Sequence, residues 1–263
     1  MGTLALKLVF TPVLVLLASL SGRRWGEAVG GWLVGLPLTS GPVAFFLTLD
    51  QGPAFAEQAA AGSLAGTAAQ ACFALVYFHA AEHGSWPLGL AAATLAFAGC
   101  AATLQAIALP HLTLFLVALA ALTLGLRAMP AQSVRHVVAA LPIWDIPARM
   151  LVATTLVVSV TAGAAALGPR LSGLLATFPI FATVLAVFAH RLQGAAAARQ
   201  VLRGLLMGLY GFASFFIVLS LLLPKTSIAL AFIGAGLAAM LVQGASFKLM
   251  QSGRRRNQGV EPG

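Results

Sequence analysis

The chain carries two copies of one pattern. Displaced by 142 positions, Gly31–His79 lies on Gly173–Leu221 without a gap, and 16 of the 49 paired positions are identical. Random pairing in so Ala- and Leu-rich a chain gives roughly five matches. The matched types include Gly31/Gly173, Pro37/Pro179, Gly52/Gly194, Gly62/Gly204 and Gly66/Gly208. Proline and glycine are placed by backbone geometry rather than by hydrophobicity, so their recurrence points to a recurring fold. The same offset sets Lys7 on Arg149 and carries the match back to the first apolar segment.

Hydrophobic residues make up 60% of the 263, charged residues only 8%, and mean hydropathy is +0.97. A soluble domain holds about 25% charged residues. The composition therefore predicts an all-α polytopic membrane protein whose first partner is the lipid bilayer. A net charge of +9 would suggest nucleic acid in a soluble chain. Here the cations fall between apolar runs, where orientation in the bilayer accounts for them, and no nucleic-acid partner is expected.

Segments of the length that spans a bilayer are Leu4–Leu20, Gly31–Leu49, Ala59–Phe78, Pro87–Ala108, Leu112–Leu126, Ile146–Ala166, Leu171–Ala189, Val201–Leu223 and Ser227–Leu249. Nine alternating helices put 12 of the 15 basic residues on one side and leave Lys7, Arg170 and Lys225 on the other. By the positive-inside rule the N-terminus is periplasmic and the C-terminus cytoplasmic. Segment two then runs outward and its copy, segment seven, runs inward. Loop charges exchange accordingly: Glu57 aligns with Arg199, Leu49 with Arg191 and Ala61 with Arg203. The expected organisation is a four-helix repeat over 1–109, a linker helix and cytoplasmic loop over 110–141, an inverted repeat over 142–251, and a disordered cytoplasmic tail over 252–263. Inverted repeats about an axis in the membrane plane are characteristic of transporters.

Candidate site residues follow from the duplicated helix breaks. Segment two contains Gly35-Leu-Pro-Leu-Thr-Ser-Gly-Pro42, and segment seven contains Thr177-Phe-Pro-Ile-Phe-Ala-Thr183. A mid-helix proline frees backbone groups that need partners in lipid. Pro37 and Pro179 would open the helices, with Thr39, Ser40, Thr177 and Thr183 supplying hydroxyls around a substrate near the midplane. Lys7 and Arg149 form a second pair, read either as symmetry-related attractors of an anionic substrate or as snorkelling cations. Asp145, one turn before Arg149, is expected to pair with it and is the protonatable carboxylate best placed at membrane depth. The Gly62/Gly66 and Gly204/Gly208 pairs predict close helix seams. Cys72 and Cys100 read as small buried hydrophobes, and the five histidines lack metal-ligand spacing. With no phosphate loop and no nucleophile elbow, an enzyme is not expected, nor is a metal or cofactor.

The second copy resembles the GlpM family of small bacterial inner-membrane proteins. The residues that carry the likeness are Phe178-Pro-Ile-Phe-Ala-Thr183, Ala189-His-Arg-Leu-Gln-Gly194, Leu202-Arg203, and Gly208 leading to Phe215 and Phe216. The family's early lysine is matched by Lys7 and, as arginine, by Arg149. The first copy departs from the pattern, with Leu36-Pro-Leu-Thr39 in place of the aromatic stretch. The resemblance implies a bacterial inner-membrane location and a role in the envelope linked to exopolysaccharide production. Two functions remain open: a small secondary transporter or exporter of a polar or anionic metabolite, or a non-transporting accessory protein of envelope or exopolysaccharide biogenesis. The sequence is compatible with a homo-oligomer.

Overall fold

The computed structural model describes residues 2–38, 40–83, 85–107, 109–130, 142–158 and 177–258, without the side chains of 2–8, 10, 43, 47, 50 and 251–258. Every regular element among them is an α-helix. In chain order these are α1 (Gly2–Trp25), α2 (Glu27–Val34), α3 (Ser40–Gln51), α4 (Pro53–His83), α5 (Trp86–Ile107) and α6 (His111–Ala128). They continue with α7, helical over 145–158, then α8 (Ile180–Gln193), α9 (Ala195–Leu222) and α10 (Ile228–Gln258). Five of them, α4, α5, α6, α9 and α10 (the last over Ile228–Met250), are long and apolar enough to cross a membrane.

α4 and α9 form the centre. α9 is buried over most of its circumference from Ala197 through Ser220, with one half-buried stripe at Gln200, Arg203, Met207 and Tyr210. α5, α6 and α10 surround this pair, each burying one narrow stripe at helical spacing. These stripes are Gly89, Ala93, Phe97 and Ala101 on α5, Leu114, Ala118, Leu122 and Gly125 on α6, and Ala231, Ala235 and Ala239 on α10. Their outer faces carry exposed Leu88, Leu95, Leu116, Leu124, Leu237 and Leu241. Small residues inside and large apolar residues outside suit a hydrocarbon surround, where close backbone approach replaces the hydrophobic effect as the packing force. Hydroxyls obey the same constraint. Thr48, Ser63, Thr67, Thr94, Thr103, Thr123 and Ser214 each donate to the carbonyl four residues back, so none presents a bare donor to lipid.

Helix boundaries recur at the 142-residue offset. α3 ends at Gln51, Gly52 turns with φ +87°, and α4 begins at Pro53; α8 ends at Gln193, Gly194 turns with φ +90°, and α9 begins at Ala195. Positive φ is strained for other residues, which explains why this glycine is repeated. α5 and α10 begin at Trp86 and Ile228, and each packs on the helix before it. α6 packs on both α4 and α9. The ring of His111 donates from Nε2 to the Glu57 carbonyl (3.0 Å), so α6 and α4 start together. Arg203 of α9 donates to the Leu126 carbonyl (3.2 Å) and to that of Met129, at the far end of α6. α9 therefore starts where α6 and α4 finish.

Three expectations change. Segment two is not one kinked helix but two, α2 and α3. α10 continues through Gln258 where a disordered tail was expected from Ser252; Gln and Arg are good helix formers, and no proline lies between Met250 and Gln258. Gly62 does not form a seam: it is exposed, with no atom within 4 Å of where a methyl group would sit. Its aligned mate Gly204 does, because a methyl there would overlap the Ala28 carbonyl of α2. The linker loop 131–141 and the start of segment seven lie outside the described residues.

Candidate functional site: two helix breaks and a buried charge cluster

At the first break the α2 ladder runs out at Gly35, whose N–H donates to the Gly31 carbonyl (3.3 Å), and at Leu36, which donates to Leu33 (3.2 Å). Pro37 has no N–H to continue the ladder, and it pushes Leu36 out of helical conformation. Bonding resumes at Gly41, which donates to the Pro37 carbonyl (2.8 Å). The bend brings α2 against α9 with backbones almost touching: a methyl at Gly35 would lie 2.7 Å from the Gly208 Cα. Beyond the bend lies a wide-mouthed groove of about 420 Å³. One wall is Pro37, Leu38, Gly41, Pro42, Phe45 and Phe46; the other is Phe215 of α9 and Phe232 of α10. Ser40 begins α3, half-buried. Thr39 lies outside the described residues.

In the second copy Thr177–Pro179 lead into α8 and are tightly covered. Gln70 of α4 donates from Nε2 to the Thr177 carbonyl (3.2 Å), which lies ahead of the α8 ladder. Gly66, one turn earlier on α4, makes room for Thr177: a methyl at Gly66 would lie 2.6 Å from the Thr177 Cβ. Phe178 inserts edge-on between Phe73 and Phe97, with ring centroids 5.7 Å and 5.3 Å away. Pro179 precedes α8 and is buried, and the Thr183 N–H donates to its carbonyl (2.8 Å). The Thr183 hydroxyl is buried without a hydrogen-bond partner among the described residues. The contacts exchange between the copies: Gly35 meets Gly208, and Thr177 and Gly66, their partners at the 142 offset, meet each other.

The two breaks do not open onto one cavity among the described residues. None of Thr177, Pro179 and Thr183 lines the groove at Pro37, because Gln70 and Phe178 fill the space where the second break would have opened. Among the described residues the groove is lined mainly by apolar side chains.

Asp145 and Arg149 pair as their spacing predicts, Arg149 Nε donating to Asp145 Oδ1 at 2.8 Å. Both are buried, at 0% and 2% exposure. Arg23, at the end of α1, donates from Nη2 to Asp145 Oδ2 at 2.9 Å, so one carboxylate holds two guanidiniums. The Arg149 guanidinium also lies over the Phe188 ring of α8, 5.4 Å from its centroid. Sequence reasoning put Arg23 at the right end of the molecule but did not join it to Asp145; the common side assigned to both was the available signal. The side chain of Lys7 is outside the described residues. Nearby helix ends are tied in the same way, Gln193 Nε2 donating to Glu27 Oε1 (2.6 Å) and Arg199 pairing with Glu82 while stacked on Phe78. Tyr77 and His190 meet at 3.4 Å. Cys72 on α4 and Cys100 on α5, expected as small buried hydrophobes, are free thiols and only half-buried. Among the described residues no group of three His, Cys, Asp or Glu could hold a metal.

No protein-family model, no characterised protein and no solved structure matches this chain.

Proposed function

We propose that the chain is a small secondary transporter of a polar or anionic metabolite, built as two inverted, GlpM-like four-helix repeats joined by α6 and crossing the inner membrane nine times. The observation that carries this reading is a proline leading into a helix at corresponding places, Pro37 ahead of α3 and Pro179 ahead of α8, with each stretch packed against the central helix of the other copy. Discontinuous helices at corresponding places in two repeats are the usual seat of a transporter's substrate and of its rocking motion. Polar contacts support the alternation of the helices. Arg23–Asp145, Glu27–Gln193, Tyr77–His190, Glu82–Arg199 and Trp32–Ser246 each join positions assigned to the cytoplasmic half. His111–Glu57 joins two assigned to the periplasmic side.

The test compares Pro37→Ala and Pro179→Ala for membrane abundance and for complementation of a deletion phenotype. Alanine restores an N–H and raises helix propensity by about 3 kcal/mol in a helix interior. Both variants are expected at normal or higher abundance with lost complementation. Full complementation by both would remove the broken-helix mechanism and favour the accessory role in envelope biogenesis.

A further inference from the structure

Among the described residues, the seam between α1, α7 and α8 sets two guanidiniums against one carboxylate, while nearby Glu27 of α2 accepts from Gln193 instead. Arg23 and Arg149 share the single carboxylate of Asp145. A buried cation without full compensation is costly, so this arrangement favours an added anion. The geometry also supplies a third ligand. Arg23 of α1 meets Asp145 of α7, while Val15 of α1 packs with Ala153 of α7 and Val184 of α8. Between these contacts α1 steps back eight residues while α7 steps forward eight, so the two helices run antiparallel along the seam. This register sets Ser19, midway on α1, at the level of Arg149, midway on α7. Ser19 is 4% exposed, and its hydroxyl has no hydrogen-bond partner among the described residues. An unpaired buried hydroxyl costs free energy unless something occupies the site. Arg23 is the route in, since its side chain is 32% exposed while Asp145 beneath it is closed off.

We propose that Arg23, Arg149 and Ser19 form an oxyanion site in which the Asp145 carboxylate occupies the place of the ligand until a carboxylate or phosphate group displaces it. Guanidiniums are suited to this exchange because their fork geometry matches carboxylate and phosphate alike. The inference rests on the transporter reading and narrows its substrate class to oxyanions. The oxyanion comes either from a soluble metabolite or from a lipid headgroup, and the two are separated by experiment.

The test is thermal unfolding of the full chain in maltoside detergent, titrated in one arm with inorganic phosphate against chloride at constant ionic strength. The other arm adds phosphatidylglycerol against phosphatidylcholine. Saturable stabilisation in either arm is expected, and the arm that responds identifies the source. Ser19→Ala should weaken it about tenfold, the loss of one hydrogen bond to a charged group. Asp145→Asn should strengthen it about tenfold or more, because the internal competitor loses its charge; this variant should be less stable without anion and restored by it. No saturable stabilisation in either arm overturns the proposal, as does stabilisation that both variants leave unchanged. If that occurs while Pro37→Ala and Pro179→Ala still abolish complementation, only the oxyanion site falls. If the proline variants complement fully while phosphate binding responds to Ser19 and Asp145, the site stands and the transporter reading falls.

Discussion

Gly62 and Gly204 occupy the same place in the two copies, and the structure predicts opposite responses to one added methyl group. At Gly204 that methyl would lie 2.7 Å from the Ala28 carbonyl carbon, 2.9 Å from the Ala28 Cα, and closer still to the oxygen between α2 and α9. Ordinary carbon contacts lie at about 3.5–4.0 Å, so α2 has to retreat by roughly 1 Å. The obstacle is backbone, so no rotamer change relieves it. Overpacking of this kind costs about 1–3 kcal/mol. Retreat also loosens neighbouring approaches, where a methyl at Gly31 would lie 2.8 Å from the Val201 carbonyl carbon and one at Gly208 2.9 Å from the Gly35 Cα. At Gly62 the same methyl meets nothing within 4 Å, and alanine should stabilise the helix by about 0.5–1 kcal/mol. The variants should therefore differ by about 2–4 kcal/mol, which is roughly 30- to several-hundred-fold in the folding equilibrium. Reversible unfolding of Gly204→Ala and Gly62→Ala in mixed micelles of mild detergent and sodium dodecyl sulfate measures this difference directly. Equal midpoints for the two would refute the reading that α2 is held on α9 by glycine-mediated backbone contact.

Other perturbations probe other parts of the structure. Reporter fusions after Gln51 and after Gly263 should be periplasmic and cytoplasmic respectively, and a cytoplasmic signal at Gln51 would overturn the charge-based topology. Arg199→Ala should destabilise more than Glu82→Gln in the same micelle assay: Arg199 is buried on Phe78, whereas the Glu82 side chain is 39% exposed and its pairing is worth about 1 kcal/mol or less. Gln70→Leu should cost about 1–3 kcal/mol by leaving the Thr177 carbonyl without that donor, and Gln70→Glu, which cannot donate when ionised, should be no milder.

Patterns that act along one helix were legible in the residues. The all-α class follows from hydropathy. The break at Pro37 follows from a missing N–H and a ring clash, which act locally whatever packs around them, and Pro179 directly precedes the start of α8. The Asp145–Arg149 pair follows from a separation of one turn. Helix starts at Pro53 and Ala195, and at Trp86 and Ile228, fall 142 residues apart, as equal local chemistry makes equal boundaries, although the apolar segments alone had placed the first pair at Ala59 and Val201. Contacts between segments distant in sequence were decided by tertiary structure. Gly62 and Gly204 are identical in type and register, yet only Gly204 faces another backbone. Thr177 and Thr183 do not line the groove at Pro37: Gln70 and Phe178 pack around Thr177–Pro179, while Phe45, Phe215 and Phe232 line the groove. Arg23 joins Asp145 across 122 residues, a contact set by how α1 packs on α7. Helical periodicity states which residues share a face; which two faces meet depends on the packing of the whole chain.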